Sequence, residues 1–81
     1  MKITFKLYAS ARDSVGESKI EIEVDGINIL YAFVHDLHKK YPQYDFSVCR
    51  YGRGSKYIEL TTPLKEGDVI SVIPPVSGGW V

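Results

Sequence analysis

Residues 2–8, KITFKLY, alternate between apolar and polar: Ile3, Phe5 and Leu7 fall on one face, Lys2, Thr4, Lys6 and Tyr8 on the other. Residues 19–25, KIEIEVD, do the same, with Ile20, Ile22 and Val24 on the apolar face and Glu21 and Glu23 opposite. Successive side chains of a strand point to opposite faces, so both segments predict half-buried strands. Their polar faces carry opposite charges, which suits cross-strand pairing. The intervening ASARDSVGES holds Ser10, Asp13, Ser14 and Gly16, turn-forming residues that predict a long loop closing a hairpin.

The period then changes. Ile29, Leu30, Phe33, Val34, Leu37 and Tyr41 mark a broad helical stripe. Asn28 stands in the N-cap position, Lys39 and Lys40 suit the C-terminal dipole, and Pro42 ends the helix. Three short strands are predicted beyond it: 46–51 (FSVCRY), 57–60 (YIEL) and 68–74 (DVISVIP), separated by turns in RYGRGSK and TPLKEGD. In the last strand Ile70 and Val72 face the helix while Val69, Ser71 and Ile73 face out. A helix between the opening hairpin and a last strand placed beside the first makes that final pairing parallel. The expected fold is therefore α+β: a mixed sheet of about five strands with one main helix on one face, a β-grasp-like roll.

The chain has 81 residues, room for one core. Ten basic and ten acidic residues cancel, which argues against the basic footprint that nucleic acid or an anionic membrane would require. No apolar run approaches a membrane span and MKITFKLYAS lacks a signal-peptide core, so the expected location is cytoplasmic. The single cysteine, Cys49, reads as a small apolar strand residue. His35 and His38 share the polar side of the helix with Tyr31, with no third ligand in sight for a metal. Asp13, Glu17, Glu66 and Asp68 fall in turns, where carboxylates serve local hydrogen bonds, so no acid–base pair stands out. GRGSK is too short for a phosphate loop, and Arg53 and Lys56 are expected to be solvated. No intrinsic catalytic site and no bound cofactor are expected.

The end of the chain is the most distinctive part. Pro74 and Pro75 remove two successive backbone donors, so sheet pairing stops there. Residues 1–75 form the expected domain, and 76–81 a flexible tail of Val76, Ser77, Gly78, Gly79, Trp80 and Val81. From Pro74 to Gly79 an extended chain reaches roughly 20 Å. A Gly-Gly pair has no Cβ and can enter a narrow channel, the right shape for a terminal carboxyl that another enzyme must reach.

In YASAR and VG over residues 8–16, LHKKYP at the helix end, and PLKEGDVISVIPPVSGG over 63–79, the chain resembles the MoaD/ThiS-type sulfur carriers, most closely the molybdopterin synthase small (sulfur-carrier) subunits. The resemblance runs from end to end and implies a ubiquitin-like β-grasp fold. It also implies a mechanism. An E1-like adenylating partner uses ATP to activate the carboxylate of Gly79, a sulfur donor displaces AMP, and the thiocarboxylate enters the synthase large subunit. The tail residues Pro74, Pro75, Val76, Ser77 and Gly78 would carry it there. Tyr8, Tyr57 and Ile73 match positions where such carriers present apolar contacts to their enzymes, and Arg12 falls in an A-x-x-R position that would pair with a partner acid or fix its loop.

The sequence departs from that pattern twice. Trp80 and Val81 follow Gly79, locking its carbonyl in an amide, so a C-terminal peptidase would have to remove them before adenylation. VCRYGRGSKYIEL is longer and more basic than the family's usual turn, which bears on partner choice. Two other readings share the tail: a ubiquitin-like modifier joined through Gly79 to lysines, and a non-conjugating interaction domain that keeps Trp80 and Val81.

Overall fold

The computed structural model describes residues 1–75. Strands β1 (Lys2–Leu7) and β2 (Lys19–Glu23) pair antiparallel, with Ile3 opposite Ile22 and Phe5 opposite Ile20. On the other face Lys2 stands opposite Glu23 and Thr4 opposite Glu21, and Lys2 Nζ lies 4.0 Å from Glu21 Oε1. That pair is exposed and contributes little. Strand β5 (Val69–Ile73) lies parallel to β1, as the crossover argument requires, with Phe5 beside Ile70 and Leu7 beside Val72. β3 (Arg50–Arg53) pairs antiparallel with β5 and with β4 (Lys56–Ile58), giving the order β2-β1-β5-β3-β4. The main helix, α2 (Leu30–Lys40), buries Leu30, Phe33, Val34 and Leu37 against one face of this mixed five-stranded sheet. Phe5, Ile22, Ile70, Val72 and Leu64 complete the core from the sheet and its last turn.

Four local expectations are corrected. The segment between β1 and β2 is not an irregular loop: Ala9–Val15 form a helix, α1. Ala11 is fully buried, and Gly16, at φ 88°, ends the helix by donating its N–H to the Arg12 carbonyl at 2.8 Å. A glycine in the left-handed region just past the last turn is the usual helix stop. Helix α2 starts after Ile29, and Asn28 does not cap it. Its first donors are satisfied from far along the chain, Leu30 N–H by the Thr62 carbonyl (3.0 Å) and Tyr31 N–H by that of Leu60 (2.8 Å).

The third correction lies at 46–51, where only the end of the predicted strand pairs. Phe46–Val48 form a 3-10 turn, because the Asp45 carboxylate accepts from the Ser47 N–H at 3.0 Å and from its hydroxyl. These two donors hold the Asp45 carboxyl below its ordinary pKa. Cys49 follows this turn, ahead of β3 rather than inside a strand, and is half-buried. Finally, RYGRGSK is mostly strand, and the turn shrinks to Gly54–Ser55 between Arg53 and Lys56. Among the described residues no helix is long and apolar enough to cross a membrane.

Candidate functional site: the outer sheet face and the base of the tail

Strand parity builds the face opposite α2. Ile70 and Val72 are buried, so Val69, Ser71 and Ile73 project to the other side of β5, as predicted. The register lays their neighbours beside them: Thr4 next to Val69, Lys6 next to Ser71, then Gly52 next to Ser71 and Arg50 next to Ile73. Gly52 pairs in turn with Tyr57 of β4. Continuing the β1–β5 register by one residue brings Tyr8 to Ile73. Tyr8 and Tyr57 are exposed, whereas Ile73 is half-buried between its neighbours. The structure therefore gathers three of the four expected interface residues on one face.

Gly52 sits in the middle of this surface. A Cβ built there would lie 3.7 Å from Ile73 Cδ1, so the bare glycine leaves a shallow dip between Ile73 and Tyr57. Arg50, which the sequence reading did not place here, stacks its guanidinium 5.4 Å above the Tyr57 ring. Strand parity relative to buried Tyr51 was the signal that would have found it. Arg12, the fourth expected residue, lies on α1 rather than in the sheet, one helical turn from Tyr8, whose carbonyl accepts its N–H at 3.4 Å. Its side chain is exposed, with Asp13 Oδ1 3.4 Å from its Nε.

The described chain ends beside this surface. Ile73 ends β5, Pro74 is buried against the body and Pro75 is exposed. Ile73 pairs with Arg50 of β3, so Pro74 follows directly on the last paired residue of β5. Val76, Ser77, Gly78, Gly79, Trp80 and Val81 lie outside the described residues.

Polar groups flagged by the sequence have structural roles. Arg53 keeps 38% of its side chain exposed but is paired: its Nη1 donates to Asp68 Oδ2 and to the Pro63 carbonyl, each at 3.1 Å. Asp68 Oδ2 also accepts from the Lys65 N–H at 2.9 Å, and Glu66 Oε1 accepts from the Lys2 N–H at 3.1 Å. Asp13 sits within α1 rather than a turn. His38 meets Phe46 edge-on at 5.6 Å, and His35 tilts against Tyr31 at 6.4 Å. Among the described residues no three His, Cys, Asp or Glu side chains converge as metal ligands. Burial pushes the Cys49 thiol pKa up, against the Tyr44 hydroxyl at 3.6 Å, which lowers it in part. A protonated thiol is a weak nucleophile.

A family model described as the ThiS family matches residues 5–79. No curated protein matches the chain. Among solved structures, the chain is similar to SAMP1 from Haloferax volcanii at 23% identity and TM-score 0.82, covering 98% of this chain and 100% of that one. A Pyrococcus furiosus protein assigned as molybdopterin converting factor subunit 1 aligns at 24% identity and TM-score 0.81, over 94% and 99% of the two chains. A complex of subunits 1 and 2 of molybdopterin-converting factor from Helicobacter pylori aligns at 28% identity and TM-score 0.66, over 98% and 100%. The mixed five-stranded sheet with its helices is the ubiquitin-like β-grasp fold of these structures.

Proposed function

Because the chain belongs to the ThiS family, we propose that it is the precursor of a sulfur carrier whose working group is the carboxylate of Gly79, serving molybdopterin biosynthesis. The observation that carries this reading is the extent of the family match. It runs through the two prolines and the Gly-Gly and ends at Gly79, leaving Trp80 and Val81 outside it. A peptidase removes those two residues by hydrolysis and frees the Gly79 carboxylate. An E1-like partner then lets a carboxylate oxygen attack the α-phosphorus of ATP. Pyrophosphate leaves, and a poor electrophile becomes an acyl-adenylate. A sulfur nucleophile at the oxidation level of hydrosulfide attacks the carbonyl carbon and expels AMP, leaving a thiocarboxylate.

The described residues contribute position rather than bond-making. Pro74 closes β5 at the rim of the outer face, and Tyr8, Ile73 and Tyr57 offer apolar contacts on that face. A partner seated there holds the end of the described chain close by, which raises the effective concentration of the Gly79 carboxylate at its site. The Helicobacter pylori complex of subunits 1 and 2 of molybdopterin-converting factor supports a large synthase subunit as a partner.

The SAMP1 similarities favour a second reading, a modifier joined through Gly79 to lysine amines, since small archaeal modifier proteins share this fold. Both readings use the same activated glycine and differ in the final acceptor. The intact mass of the protein from its own host tests them together. A chain short of Trp80 and Val81, with one oxygen exchanged for sulfur, establishes the carrier. Adducts linked to lysine through Gly79 establish the modifier. A chain that stays full length, and is untouched by host extract with ATP, overturns both.

A further inference from the structure

On the helix side of the sheet, α2 packs against β2 at one flank and the 3-10 turn at the other, leaving the β4 end open. A cleft of about 640 Å³ lies there, between α2 and β4. Tyr31, His35 and His38 recur at helical spacing along one wall, and Tyr57 and Leu60 stand on the other. Tyr31 and Leu60 are 56% and 43% exposed, bare apolar surface on one concavity, and Tyr57 borders it from the sheet edge. Beneath them the floor is aromatic, with Phe46 and Tyr51 buried.

Two features select the occupant. The first is charge. Arg12 and Arg53 have carboxylates within ion-pair distance, but Arg50, at the mouth of the cleft, has none among the described residues. His35 and His38 add further N–H donors, against a single lining carboxylate, Glu59. The second is the backbone. β4 is the last strand of the sheet, and its outer side faces no strand among the described residues, so an extended segment can lie along it.

We propose that this cleft is a docking site for a short extended segment of a partner protein, in which a leucine or aromatic side chain is flanked by carboxylates. The apolar side chain seats between Tyr31 and Leu60, a flanking carboxylate meets Arg50, and the backbone runs beside β4. Arg50 and Tyr57 also belong to the outer face, so a partner resting on that face can pass such a segment around the sheet edge. The site requires nothing of Gly79, and its test is separate from sulfur chemistry.

The test is an amide NMR titration of the full chain with a capped heptapeptide, Glu-Asp-Leu-Trp-Leu-Asp-Glu. Saturating shifts confined to residues 31–38, 46–51 and 56–60 are expected. Arg50→Glu should weaken binding by about fivefold or more, as should Tyr31→Ala, both exposed positions whose substitution spares the core. Lys19→Glu, on the far edge strand, should leave affinity unchanged, and a peptide with lysines replacing its acids should not bind. Absence of cleft shifts at millimolar peptide overturns the proposal, as does an Arg50→Glu variant that binds like the parent. Contacts from the Trp80 ring to Tyr31 or Leu60 in the free chain would give the cleft to the protein's own tail. Concentration-dependent shifts there without peptide would give it to a second copy. Either result refutes the proposed occupant.

Discussion

Asp68 ties together the turn that aims the final strand, and its removal has a magnitude that follows from its bonds. Its Oδ2 accepts from the Lys65 N–H within the LKEGD turn and from Arg53 Nη1 across it. Replacing Asp68 by Ala loses the turn bond, worth about 1 kcal/mol since the freed N–H can reach water. It also loses a partly exposed ion pair, worth about 0.5–1 kcal/mol. The sum, about 1.5–2 kcal/mol, is a fall in melting temperature of roughly 6–16 °C for a domain of this size. Asp68→Asn keeps an acceptor for the Lys65 N–H and removes the charge, so it should lose only about 0.5–1 kcal/mol. Thermal and urea unfolding followed by circular dichroism, at low and high salt, separate the two contributions. The ion-pair part should shrink with salt and the turn part should not. An Asp68→Ala variant as stable as the parent, or an Asn variant as damaged as the Ala one, would refute the assignment.

Other outcomes follow from single residues. Gly16→Ala places a Cβ at φ 88° and should destabilise by about 1–2 kcal/mol, seen as a lower urea midpoint with an unchanged slope. Burial raises the Cys49 thiol pKa, so alkylation at neutral pH should be slower than for free cysteine and accelerate only as pH climbs past the ordinary thiol range. The same shift sets a sign on stability: the Cys49 contribution is complete below the unfolded thiol pKa and is lost as pH rises through the higher folded value. Tyr57→Ala, on the outer face, should weaken binding to an adenylating partner by about tenfold or more without altering the melting curve, measured by calorimetry.

Much of the architecture was legible because it rests on local period. The alternation of Ile3, Phe5 and Leu7, and of Ile70 and Val72, specifies which side of a strand is apolar before any neighbour is known. The stripe through Leu30, Phe33, Val34 and Leu37 does the same for α2, and a helix between two strands leaves the parallel β1–β5 pairing as the natural crossover. The Pro-Pro and Gly-Gly of the tail are equally plain, as chemistry read from residue types.

Long-range contacts decided the rest. Helix α1 is short, and Ala11, too small to mark a stripe, is buried only because β5 lies over it. The start of α2 is set by carbonyls of Leu60 and Thr62, some thirty residues downstream, which no cap at Asn28 can foretell. Arg53 finds Asp68 only once β3 lies beside β5, while Arg50 meets Tyr57 across the short β3–β4 hairpin. Sequence alone therefore determined the strand faces, the main helix and the Pro-Pro and Gly-Gly composition of the chain's end, each set by residue type and spacing within a few positions. Tertiary structure alone decided the cleft, the start of α2 and the Arg53–Asp68 pair, because the groups that complete them are far apart in the chain and meet only when the sheet closes.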